Sequence, residues 1–307
     1  MGKRFTATLA FVLAALAASA QSANILHDAA FAGGFTVYCT DPDADTVAGR
    51  LVCDSTATAV WNLRQYNSRF DMAQCTLESF GNRYTFSRAG NGNLNAKTLT
   101  VNPSRGSLTL ECNASAEYTG IRRAGSPWVH MTVDAPTDTV RMGKGGQMKM
   151  NFAFRETLYE DCMGFLADRK LHGAVYRVFL RFRNLNVESG LYGKQFRLGM
   201  VIFDNRYMGQ SRAESVSASG EEGALFDYYA PTSRYLAGGK LPKVRQKGSV
   251  NADVEKMLSE AIAAAQAAGI LGECYPAEWE IVGCDFGWEM TGTYNAALEV
   301  RGVAITR

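Results

Sequence analysis

The chain has 307 residues, 47% of them hydrophobic, with 32 Lys and Arg against 30 Asp and Glu. So even a balance excludes nucleic acid as a bulk electrostatic partner. Beyond the N-terminus no stretch is long and apolar enough to span a membrane.

The first residues read as an export leader. Lys3 and Arg4 form a basic start, residues 8–17 are apolar, and Ala18-Ser19-Ala20 is a small-residue cleavage site. Cleavage is expected after Ala20 or Ala23, which makes 1–23 the leader and 24–307 the mature domain. Losing Lys3 and Arg4 brings the basic count level with the 30 acidic residues. About 285 residues remain, enough for a large core. An exported protein is secreted or periplasmic, and some of its seven cysteines are expected to pair. The candidate pairs are Cys39–Cys53, Cys75–Cys112 and Cys274–Cys284. No spacing suggests a metal site, and no GxSxG, HExxH, P-loop or dinucleotide fingerprint is present, so no cofactor is expected.

Residues 24–120 read as short strands and turns, with a turn at Asn102-Pro103-Ser104-Arg105-Gly106 between two alternating runs. Asn113-Ala114-Ser115 has the pattern of a glycosylation acceptor. In 126–135, Val129, Met131 and Val133 alternate with Trp128, His130 and Thr132; in 146–156, Met148, Met150, Phe152 and Phe154 alternate with Lys149, Asn151 and Arg155. The clearest signal is the hairpin over 172–206. Tyr176, Val178, Leu180 and Phe182 form one face of its first strand, and Arg177, Phe179, Arg181 and Arg183 the other. In the second strand Phe196, Leu198, Met200 and Ile202 are opposed by Arg197. Residues 207–248 suggest a long loop with one short strand. A helix follows over 251–268, capped by Asn251 and ended by Gly269. Strands return at 279–290 and 294–306. Many short strands and one helix predict a single all-β domain, an antiparallel β-sandwich of jelly-roll or concanavalin-like type.

The polar strand faces hold the candidate site. Arg155, Arg177, Arg181 and Arg206 are residue types that grip carboxylates or sulfates, and Trp128 is a platform for a sugar ring. The implied ligand is a polysaccharide or oligosaccharide, acidic if the arginines are free. A lyase needs a base, an acid and a positive group; His130 or His172, Tyr176 or Tyr192, and Arg181 supply those types. A hydrolase needs two carboxyl groups roughly 5–9.5 Å apart. Asp285 and Glu289 lie roughly 13 Å apart along one strand at about 3.3 Å per residue, which leaves Asp204 with Glu289. Asp204 and Arg206 can equally form an ion pair within a turn. A non-catalytic extracellular scaffold or adhesion protein is the alternative to both.

The segments at 61–70, 106–118, 127–131, 171–184, 196–207 and 286–300 together resemble a group of uncharacterised secreted bacterial proteins with concanavalin-type or jelly-roll sandwiches, found in polysaccharide-degrading bacteria. The resemblance implies a glycan context and no particular mechanism. His130, His172, Asp204, Arg206 and Glu289 match its polar motifs, while Cys39, Cys53, Cys75 and Cys162 depart from it.

Overall fold

The structure is a computed structural model that describes residues 23–118, 120–123, 125–143, 147–219 and 223–307; the expected leader lies outside them, apart from Ala23. In chain order the strands are β1 (Phe35–Tyr38), β2 (Val47–Leu51), β3 (Trp61–Arg64), β4 (Thr76–Phe80), β5 (Arg83–Ala89), β6 (Asn95–Asn102), β7 (Ser107–Asn113) and β8 (Val129–Arg141). They continue as β9 (Lys149–Asp161), β10 (Ala174–Asn184), β11 (Gln195–Asp204), β12 (Ser215–Ala218), β13 (Ala224–Tyr229), β14 (Lys247–Asp253), β15 (Trp279–Met290) and β16 (Tyr294–Thr306). A four-residue helix, α1 (Ala114–Glu117), follows β7, and α2 (Val254–Ala267) follows β14.

The strands form two sheets, as expected of a jelly-roll-like sandwich. One has nine strands in the order β12-β13-β11-β10-β15-β8-β3-β1-β2, the other seven in the order β14-β9-β16-β7-β6-β5-β4. All pairs are antiparallel except β1–β3 and β11–β13. Period-two alternation sends one face of each sheet into a shared core. Tyr176, Val178, Leu180 and Phe182 of β10 point there, as do Phe286, Trp288 and Met290 of β15. Phe196 stacks between Phe182 and Phe226, with ring centroids 5.2 and 4.5 Å away, and meets Trp279 edge-on at 4.7 Å.

α2 touches β11, β12 and β13 of one sheet and β9 and β14 of the other, so its apolar stripe closes that edge of the sandwich. Its cap is Asp253, whose side chain accepts from the Lys256 amide, rather than the expected Asn251. Residues 251–253 are drawn instead into β14 by pairing with β9.

One core-facing position holds a lysine. Lys97 shares its face of β6 with Leu99 and Val101 and is fully buried. Its ammonium lies 2.5 Å from Glu117, which also accepts from Ser68 and from the Arg69 amide. Pairing of this kind makes a buried charge tolerable.

All seven cysteines are unpaired, against the expectation of disulfides. The β1–β2 register aligns Phe35 with Leu51 and Tyr38 with Val47, so Cys39 and Cys53 sit beyond opposite ends of that hairpin, too far apart to bond. Cys75 leads into β4, three sheet positions from the Cys112 strand, or roughly 14 Å. Cys284 lies five residues into β15, beyond reach of Cys274. Asn113 is no open acceptor either: it is buried, and its amide donates to the Asn95 carbonyl and to Glu111.

Thiol alkylation of the native protein should therefore modify exposed Cys162 and spare Cys112 and Cys284. Burial pushes the Cys112 thiol up to about 12. Mass mapping of the adducts checks this; protection of Cys162, or a disulfide-linked peptide, would contradict the map.

Candidate functional site

Opposite its core face, the nine-stranded sheet carries an open cleft of about 930 Å³. Its floor comes from the same alternation that builds the core. β10 contributes Arg177, Phe179 and Arg181; β15 contributes Asp285, Gly287 and Glu289; β8 contributes His130, Thr132 and Asp134. Arg64 of β3, Arg197 of β11, and Asp227 and Tyr229 of β13 extend it to both sides, and Trp128 and Tyr66 form one wall.

Register decides who meets whom. Glu289 lies directly opposite His130, and Asp285 opposite both Asp134 on β8 and Phe179 on β10. Arg181 is opposite Arg197, and Arg197 opposite Asp227. Like charges placed directly across a strand pair repel, and each such pair here has an opposite charge beside it. Arg181 lies 3.6 Å from Asp134 and 3.8 Å from Asp285, bridging the two carboxylates. Arg197 grips Asp227 with two hydrogen bonds of 2.8 and 2.6 Å. Arg64 donates to Asp134 at 3.1 Å and to Asp45 at 2.5 Å, and Asn62 donates to Asp134 at 2.9 Å. Arg177 pairs with Glu289. Among the described residues, four arginines and five carboxylates (Asp45, Asp134, Asp227, Asp285 and Glu289) line the cleft, so their charges nearly cancel.

Two glycines make room for these contacts. A Cβ on Gly283 would stand 2.6 Å from Nη2 of Arg181, so the guanidinium can lie across β15 only because that side chain is absent. A Cβ on Gly199 would stand 2.8 Å from the rings of both Phe179 and Tyr229, which meet edge-on over it at 5.5 Å.

Burial pushes the His130 imidazole below its ordinary value, against the pull of Glu289, with Arg177, Arg122 and Arg197 adding to the downward shift. His130 is therefore neutral at physiological pH. Its Nδ1 is buried with no hydrogen-bond partner, as are Nε of Arg177 and Nε of Arg181. Burial also raises Tyr66, and lifts Tyr229 to about 12, so both keep their hydroxyl protons.

Five of the nine residues expected at a site converge here: Trp128, His130, Arg177, Arg181 and Glu289. The structure does not bring the other four with them. His172 is buried outside the cleft with both ring nitrogens engaged: Nδ1 accepts from the Asp168 amide at 3.0 Å, and Nε2 donates to the Arg122 carbonyl at 2.7 Å. Asp204 is fully buried and accepts from Arg206 at 2.8 Å through each oxygen and from Arg212 at 3.1 Å. The turn ion pair is thus what forms, and neither an Asp204–Glu289 pair nor a free Arg206 exists. Arg155 is exposed on β9, in the other sheet. Tyr176 is buried in the core, and Tyr192 is exposed in the β10–β11 turn. The sequence reading missed Arg64, Asp134, Asp227 and Tyr229. Asp134 was within reach, because it continues the His130, Thr132 alternation.

No family model matches the chain, and no curated protein is similar to it in sequence. Solved structures are similar to it at low identity. An endoglucanase from Rhodothermus marinus is 12% identical, with 76% of this chain and 96% of that one covered and a TM-score of 0.39. The xyloglucanase domain of a type three effector from Sinorhizobium fredii, in complex with cellobiose, is 10% identical over 76% and 96% of the two chains, with a TM-score of 0.37. A loop-swap mutant of Necallimastix patriciarum Xyn11A is 8% identical over 79% and 98%, with a TM-score of 0.36. The class defined by this fold and site is a two-sheet β-sandwich with a charge-balanced polar cleft on one sheet. Among the described residues, no helix is long and apolar enough to cross a membrane.

Because the unfolded chain binds a proton at His130 more readily than the folded one, this residue favours folding fully above pH ~6.5. That contribution is lost as the pH falls below ~6.5. Imidazole NMR should show a midpoint for His130 below 6.5. A midpoint at or above that value would show that Glu289, not burial, dominates.

Proposed function

We propose that this protein binds an extended, largely uncharged oligosaccharide along the cleft of the nine-stranded sheet. The observation that carries this reading is the state of the arginines. Each of the four in the cleft has a carboxylate partner, while Nε of Arg177, Nε of Arg181 and Nδ1 of His130 stay buried without a hydrogen-bond partner. Paired charges leave no net field to hold a polyanion. Unpartnered buried polar atoms call for a hydrogen-bonding ligand. Sugar hydroxyls, which both donate and accept, meet that need. The flat ring of Trp128, 46% exposed at the wall, offers the apolar C–H face of a sugar a place to stack.

This narrows the expectation from the sequence, in which a bare arginine face pointed to an acidic polymer. It also favours binding over cleavage. Among the described residues, every cleft carboxylate carries an arginine contact and the cleft tyrosines hold their protons, which leaves neither an open two-carboxylate arrangement nor a tyrosinate base. His130 and Glu289, adjacent across β8 and β15, are the residues that a cleavage reaction would use. An N-terminal leader would place the protein outside the cytoplasm, where such polymers occur.

Calorimetry of the purified protein with neutral and acidic polysaccharides tests the proposal. Binding to a neutral glycan is expected. Trp128→Ala and Arg181→Ala should each weaken it by about tenfold, equivalent to ~1.4 kcal/mol. Binding confined to polyanions with a steep salt dependence would overturn the reading, as would full affinity in both variants. Failure to bind any glycan would favour the scaffold alternative.

A further inference from the structure

A nucleophile and an acid meet in the core, away from the cleft. Lys97 is the one fully buried lysine among the described residues, and Glu117 is fully buried with it. Well-packed apolar side chains in place of a buried ion pair are often as stable, or more so. A lysine beside Leu99 and Val101 on the core face of β6 therefore calls for a chemical reason.

The surroundings of the pair fit the formation of an amide. Nζ of Lys97 lies 2.5 Å from Oε1 of Glu117. The carboxyl carbon is then at most ~3.7 Å from the nitrogen, near the ~3–3.5 Å at which reacting atoms are held ready to bond. Ser68, in the segment after β3, touches both partners: its hydroxyl accepts from Nζ and donates to Oε1 at 2.6 Å. A hydroxyl so placed can pass a proton from nitrogen to oxygen. The Phe70 amide donates to the same hydroxyl at 3.1 Å and steadies it. The other carboxyl oxygen, Oε2, accepts from the Arg69 amide at 2.7 Å. That N–H points at the atom on which negative charge develops when the carbon is attacked. Full burial of both side chains keeps bulk water from hydrolysing the product.

We propose that Lys97 and Glu117 join as an intramolecular amide, formed by the folded chain itself. The bond made is Nζ–Cδ, and the bond broken is Cδ–Oε1. Two of the three ammonium protons leave with Oε1 as water, by way of Ser68, and the third stays on the amide nitrogen. Nothing is oxidised or reduced. The product is neutral, which removes the cost of keeping two ions in the core. It also ties β6 to α1 across 20 residues of chain, restricting the unfolded state as a disulfide would.

Peptide mass mapping of the full chain, purified under native conditions and then denatured and cut with trypsin, tests this. Residues 89–105 and 106–122 should appear as one linked species, lighter than the two peptides together by one water, and uncut after Lys97. Fragmentation should place the link between Lys97 and Glu117. In Ser68→Ala a fraction of unlinked peptides should persist, and complete linkage there would overturn the role given to Ser68. Lys97→Met should abolish the link, and a linked species in that variant would overturn the site. Unlinked wild-type peptides, with trypsin cutting after Lys97, would overturn the proposal whether or not either variant folds.

Discussion

The site depends on the cross-strand register of β8, β15 and β10. Those three strands bury one face in the core and set charged side chains on the other. A slip of one residue would move every arginine and carboxylate into the core and every apolar side chain out of it. The register is thus fixed by the cost of burying charge and by the gain from burying Tyr176, Phe286 and Trp288 together. The indole of Trp288 also donates to the Leu110 carbonyl of the facing sheet at 2.9 Å, which ties the two layers together directly behind the cleft.

With the register set, the electrostatics follow. The side chains of Arg64, Arg177, Arg181 and Arg197 are only 19–27% exposed, deep enough for an unpaired guanidinium to be costly. Strands remote in sequence supply the partners. Asp204 has a parallel role at the end of β11. Its buried carboxylate holds Arg206 and Arg212, and this contact keeps Arg206 above its ordinary value. That cluster anchors the segment leading from β11 to β12 and β13, which bring Asp227 and Tyr229 to the cleft. Asp204 and Arg206 therefore contribute to the cleft by positioning its wall, without facing a ligand.

Much of the fold is legible in the sequence because alternation is a local property. The two faces of β10 and β11, the core position of Trp288 and the buried stripe of α2 follow from side-chain spacing alone. Strand order and register are not local. Nothing in the sequence near Arg181 shows that Asp134 and Asp285 bracket it, or that Arg155 belongs to the other sheet. Within 207–248 the sequence suggested one short strand; the structure forms two, β12 and β13, and parallel pairing with β11 gives β13 its strand form. The disulfide expectation failed on geometry as well, since cysteine count and compartment say nothing of where the side chains lie. His172 illustrates the limit for function: by residue type it resembles a catalytic base, and only its two hydrogen bonds reveal a structural post.

The central claim is that the arginine-lined face of the nine-stranded sheet is the ligand-binding surface. Side-chain NMR of the arginine Nε–H groups during titration with a neutral oligosaccharide tests it most directly. The account predicts that Arg177 and Arg181 shift with ligand, since their Nε–H groups lack hydrogen-bond partners, and that Arg155 on the other sheet does not. Shifts at Arg155 with none in the cleft would contradict it.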